Sequence, residues 1–181
     1  MSSLSVYHVS SPELPNKVLT HFEDIAATLA EQGIRFERWP ATTRLQPGAS
    51  QEEVISAYQQ EIDRLMTDLG YAGVEVLSLA PDHPQKDQQR AGFLAEQRQA
   101  GDEIRLFVAG RGLLSLHIDD YVYALLCERH DLLALPAGTA HWFDMGEQPQ
   151  LVAIRLFKTP QSPVANLTGD AIASQFPPLE D

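Results

Sequence analysis

The chain has 181 residues, of which 44% are hydrophobic, and a formal net charge of −12. That length suits one domain with a real core, and the acidic balance argues against nucleic acid or an anionic membrane as partners. Met1 to Pro15 shows neither a basic n-region nor an apolar run, and no segment reaches transmembrane length, so a cytoplasmic protein without leader or span is expected. The single cysteine, Cys127, excludes an intrachain disulfide and reads as a small buried filler.

In chain order, Leu4 to Val9 reads as a short strand. Thr20-His21-Phe22-Glu23 has the form of a capping box, and Phe22, Ile25, Ala26 and Leu29 follow helical spacing up to Gly33. Ile34 to Trp39 alternates as a strand. Ser50-Gln51-Glu52-Glu53 opens a second helix with Val54, Ala57, Tyr58, Ile62, Leu65 and Leu69 on one face and Gly70 as its stop. Val74 to Leu79 is a strand, and a polar helix follows Pro81 and Pro84 and runs through Phe93 and Leu94.

From Asp102 the pattern turns to short strands: Glu103 to Val108, Gly112 to Ile118, Tyr121 to Cys127, Asp131 to Leu135 and Leu151 to Phe157. Turn residues separate them, which points to a small sandwich or barrel. Thr168 to Ser174 reads as a last helix before a loose tail at Pro177-Pro178. The fold class is therefore mostly β with α in one domain, divided into an N-terminal α/β decoration (1–96), a barrel core (97–157) and a C-terminal helix and tail (158–181).

Along the strand that starts at Glu103, side chains alternate. Glu103, Arg105 and Phe107 share the face expected to look into the barrel, while Ile104, Leu106 and Val108 need a lid that the N-terminal helices can supply. Buried charges are kept only for an ion pair or a ligand, so the bland reading of Glu103 is a salt bridge with Arg105 or another barrel arginine. Asp102 points to the opposite face from Glu103 and is a poor substitute for it. Pro136-Ala137-Gly138-Thr139-Ala140-His141 is a tight turn that presents an imidazole at a strand start, making His141 the best candidate metal ligand. His117, near Asp119, reads as structural or surface, and His8, His21, His83 and His130 carry no visible chemistry. There is no phosphate loop and no cysteine nucleophile.

The turn and histidine at 136–141 and the spacing of 97–103 resemble the two halves of a cupin metal site. Several segments are similar to the bacterial acireductone dioxygenases of methionine salvage over nearly the whole chain: residues 33–39 (GIRFERW), 83–86 (HPQK), 102–105 (DEIR), 116–120 (LHIDD) and 141–146 (HWFDMG). The resemblance implies a cupin-type double-stranded β-barrel decorated by N-terminal helices. It also implies a monomer holding Fe²⁺ or Ni²⁺ through three histidines and a glutamate. The implied reaction is O₂-dependent cleavage of 1,2-dihydroxy-3-keto-5-methylthiopentene, to keto acid and formate with iron, or to methylthiopropionate, formate and CO with nickel.

Carried over residue by residue, Glu103 and His141 match metal ligands, Arg105 matches the catalytic arginine that faces the substrate oxygens, and Phe93 and Phe143 match substrate-pocket walls. Gln97 and Gln99 stand where the resemblance expects the other two histidines. Ala100-Gly101 and the segment Lys158 to Pro163, with Pro163 in place of a lid tryptophan, also depart from the family. An amide oxygen is a weaker, uncharged donor than imidazole for these metals. The metal is therefore expected to be weakly bound or absent and the dioxygenase activity strongly weakened or lost. Glu96 is the nearby carboxylate that recruitment would involve. The alternative is a non-catalytic cupin paralogue that binds a polar small molecule; a metal-free isomerase-like cupin is a weaker third reading.

Overall fold

The computed structural model describes residues 2–180. Met1, the first residue of the stretch read for a leader, and Asp181, the last residue of the expected tail, lie outside them. The strands are β1 (Ser3–His8), β2 (Lys17–Leu19), β3 (Arg35–Arg38), β4 (Gly73–Leu79), β5 (Gln97–Gln99), β6 (Glu103–Ile118), β7 (Tyr121–Glu128), β8 (Asp131–Leu135), β9 (Ala140–Asp144), β10 (Leu151–Phe157) and β11 (Ala165–Leu167). Helices α1 (Phe22–Glu31), α2 (Gln51–Ala57), α3 (Gln59–Leu69) and α4 (Lys86–Leu94) alternate with the first four strands and end before β5, and a 3-10 turn covers Ile172–Gln175.

All pairings are antiparallel and fall into two layers, as expected for a cupin-type barrel. One layer runs β2-β1-β7-β6-β9-β5-β11 and the other β3-β8-β6-β10-β4. Strand β6 belongs to both: its first half pairs with β8 and β10, its second with β7 and β9. Two expected strands are thus one, bent where Gly110 adopts φ +70° beside a register shift against Val152 and Ala153. The stretch 1–96 is more than decoration, because β1, β3 and β4 complete the two layers.

Burial follows the faces. Inside lie Leu4, Phe36, Leu77, Phe107, Leu114, Leu116, Leu133 and Phe143. Ile104, Leu106, Val108, Leu132, Ile154 and Leu156 look outward and pack against Val54 of α2, Ile62 and Leu65 of α3, and Tyr58 at the break between them, so the N-terminal helices are the lid that alternation required. The outer face of the other layer buries Tyr7, Val122 and Trp142 under Ile172 and Phe176 of the C-terminal segment.

Three local expectations need correction. Thr20 caps nothing: His21 holds the N-cap position of α1 without a side-chain cap bond, because the helix begins one residue later than the motif requires. Ser50 does cap, accepting from Glu53 N at 3.2 Å. The helix it opens breaks at Tyr58, where φ −118° and ψ 24° leave helical geometry and the hydroxyl donates to Thr43 O at 2.6 Å. The expected last helix is a single 3-10 turn of four residues. Cys127 is buried and free, as expected.

Candidate functional site

The chemistry-bearing residues converge between the two layers. On β6, Glu103 and Arg105 face inward from one layer, and Arg155 on β10 lies directly opposite Arg105 in register. From the other layer, Gln97 on β5 lies opposite His141 on β9, with Phe143 two residues further on the same face. All six polar residues are buried: Gln97 5%, Gln99 7%, Glu103 1%, Arg105 1%, His141 2% and Arg155 5% exposed.

Glu103 is held on both sides. Arg105 Nε donates to one carboxylate oxygen and Arg155 Nη2 to the other at 2.7 Å. Arg155 Nη1 also reaches the half-exposed Glu75 at 3.1 Å. Burial alone would raise the Glu103 pKa; the charges of Arg105 and Arg155 overcome it and hold it at about 2. The bland expectation for this carboxylate, an ion pair with barrel arginines, is therefore met.

His141 Nδ1 lies 2.8 Å from Thr139 O. A carbonyl only accepts, so Nδ1 carries the proton and Nε2 presents a bare lone pair. Nε2 is buried and has no hydrogen-bond partner. Burial first, and the Arg105 charge second, lower the His141 pKa to about 4, so the ring is neutral at pH 7. Aromatic rings close the sides: Arg105 sits 5.3 Å over Phe143, Arg155 sits 5.4 Å over Phe93, and Phe93 meets Phe143 edge-on at 6.2 Å.

These residues do not fit the four-ligand Fe²⁺ or Ni²⁺ centre that the resemblance implies. One imidazole lone pair is ready, but both carboxylate oxygens are committed to guanidinium groups and the remaining two positions offer amides. Two buried cations beside the carboxylate also oppose a divalent cation.

A sequence model of the ARD/ARD' family matches residues 7–165. The acireductone dioxygenase of Pseudomonas fluorescens strain Pf-5 is 74% identical over 181 residues, covering 100% of both chains. The chain belongs to the acireductone dioxygenase family. An acireductone dioxygenase of Pseudomonas syringae pv. syringae strain B728a is 67% identical, again over 100% of both chains. The solved acireductone dioxygenase from Bacillus anthracis, with a cadmium ion in its active centre, superposes with a TM-score of 0.77 at 24% identity. That match covers 91% of this chain and 98% of the other, and it supports the cupin fold.

All seven residues singled out for this family member (Phe93, Gln97, Gln99, Glu103, Arg105, His141, Phe143) meet at one place or line it. Asp102 is turned away, its Oδ1 accepting from Ala137 N at 2.8 Å. Glu96 is turned away too: its carboxylate meets His117 Nδ1 at 2.6 Å and accepts from Thr168 Oγ1 at 2.7 Å. Glu96 lies just before β5, and these two partners hold its carboxylate away from the interior. With His117 and Asp170 it forms the one group of three possible metal donors found among the described residues, but outside the barrel.

Arg155 escaped the sequence reading. Its signal was a lone charge in the otherwise apolar run 151–157 (LVAIRLF), where only an interior partner makes burial tolerable.

Proposed function

We propose that this protein keeps the acireductone dioxygenase barrel while the family reaction, O₂-dependent cleavage of 1,2-dihydroxy-3-keto-5-methylthiopentene, is strongly weakened or lost. The supporting observation is the double engagement of Glu103 by Arg105 and Arg155 at a site that offers only the imidazole of His141. Replacing imidazole nitrogen by amide oxygen at positions 97 and 99 weakens Fe²⁺ or Ni²⁺ affinity by orders of magnitude, since changes around intact ligands alone cost about 10–100-fold. In this reading Glu103 and His141 are the remnants of the ligand set. Arg105, Phe93 and Phe143 remain of the substrate cradle. The protein acts as a cytoplasmic, single-domain monomer. The helices over one outer face and the C-terminal segment over the other support that assignment, because they leave neither face bare.

The test is metal content per chain after chelator-free purification, before and after iron and nickel are offered back, with acireductone turnover measured beside it. The expected result is well below one metal per chain and little turnover, with occupancy restored in part by the double replacement Gln97→His/Gln99→His. Turnover comparable to that of the Pseudomonas fluorescens relative would overturn the reading.

A further inference from the structure

Outside the barrel, three parts of the chain bring Glu96, His117 and Asp170 together: the residue before β5, the second half of β6, and the segment that follows β11. A ring nitrogen of His117 and one carboxylate oxygen from each acid all lie within 4.8 Å of one another. Donors bound to one zinc ion at about 2.0–2.2 Å each stand at most about 4.4 Å apart. A small rotation of the exposed Asp170 side chain closes that difference. Open space flanks the cluster on both sides. His117 lines a groove of about 370 Å³, and Asp170 lines a cavity of about 520 Å³.

The charges of this cluster are not balanced as those of Glu103 are. Glu96 is buried, yet among the described residues neither it nor Asp170 pairs with a lysine or arginine. Arg98, the one arginine lining the His117 groove, donates instead to Gly138 O at 2.7 Å. A carboxylate buried without a permanent countercharge is costly. Glu96 has only its contacts with His117 Nδ1 at 2.6 Å and Thr168 Oγ1 at 2.7 Å. A carboxylate accepts, so Nδ1 carries the proton in that contact and Nε2 keeps its lone pair. Asp170 Oδ1 accepts from Ile172 N at 3.0 Å, which leaves its second oxygen for an ion.

We propose that Glu96, His117 and Asp170 form a site for a zinc-type divalent cation that clasps the C-terminal segment to the barrel. The ion supplies the charge that Glu96 lacks, and water completes its coordination. An imidazole with two carboxylates suits zinc, whereas magnesium asks for near-octahedral oxygen. Asp170 leads directly into the turn whose Ile172 and Phe176 cover Tyr7, Val122 and Trp142, so an ion held there fastens that cover. The site is independent of the barrel interior. With three donors, one of them at the surface, it gives up its ion on desalting and does not enter the metal content of the purified chain.

The test is calorimetric titration of Zn²⁺, and separately of Mg²⁺, into chelator-treated full-length protein. One saturable zinc per chain is expected, with no magnesium bound over the same range. Asp170→Asn keeps the oxygen that accepts from Ile172 N, so it spares the local turn while removing the charge. It should weaken zinc by about tenfold or more, and His117→Gln should do the same. Zinc should also slow amide hydrogen exchange across residues 165–176 of the wild-type protein and leave Asp170→Asn unchanged. No saturable zinc binding overturns the proposal. So does zinc that both variants bind as the wild type does, including zinc lost only with His141→Ala, which would place the ion in the barrel. Zinc bound without slower exchange across 165–176 overturns the clasp.

Discussion

Glu103 is the residue on which the interior turns. A buried carboxylate between two guanidinium groups is costly to disrupt from one side, because Arg105 then loses its carboxylate partner and Arg155 keeps only the half-exposed Glu75. Glu103→Leu is therefore expected to lose about 3–5 kcal/mol, read as a lowered urea midpoint. The triple replacement Glu103→Leu/Arg105→Met/Arg155→Met should lose much less, since it removes every fully buried charge of the cluster and leaves only the half-exposed Glu75; a triple variant as unstable as the single would contradict this account. The inward placement of Glu103 and Arg105 could be read from alternation alone, because one strand carried polar residues at every second position. The Arg155 partnership could not. It depends on β10 meeting β6 in a particular register, which only the assembled layer fixes.

Among the elements, β6 carries the most structural consequence. A Cβ at Gly110 would run into the backbone of Gln150, and φ +70° already penalises any side chain. Gly110→Ala is expected to destabilise by more than 1 kcal/mol, seen as a drop in Tm of several degrees. Gly112 is different: a Cβ there would strike the ring of Phe143, a side chain of the candidate site. Gly112→Ala should change the near-UV circular dichroism of the interior aromatics together with a drop in Tm; an unchanged aromatic spectrum would refute the contact. Longer elements such as β7 and β10 were legible in the sequence, while α2 and α3 were read as one helix. The three-residue strands β2, β5 and β11 were not, since so few residues establish no period and their pairing comes from neighbours. The Gly110 break was legible as a turn, yet it joins two half-strands where a turn usually separates them.

For the whole molecule, acid is the informative stress. The folded His141 sits at about 4 against an ordinary value of 6.5, so its contribution is complete above pH 6.5 and drains away as pH falls through 4. Glu103, at about 2 against 4.5, contributes fully above pH 4.5 and is lost as pH falls towards 2. Asp144 is lowered as well: burial opposes this, but the hydrogen bonds from Arg90, Gly146 N and Leu179 N prevail, so its share is also lost on the acid side. Metal-free protein should thus begin to weaken below pH 6.5, before ordinary carboxylates titrate. The His141 part is on the order of 3 kcal/mol by pH 4. Urea midpoints measured from pH 7.5 to 4 should show this slope, and His141→Gln should flatten it. A further consequence comes from where the two glutamines sit. They occupy a short peripheral strand that meets β9 at a single register pair, while the helix-covered core lies on the far side of the other layer. Natural selection can therefore exchange imidazole for amide at those positions, in either direction, with little toll on folding. Under the proposed loss of activity, the lineage of this chain set down its inherited chemistry without surrendering its architecture, and a descendant could take it up again.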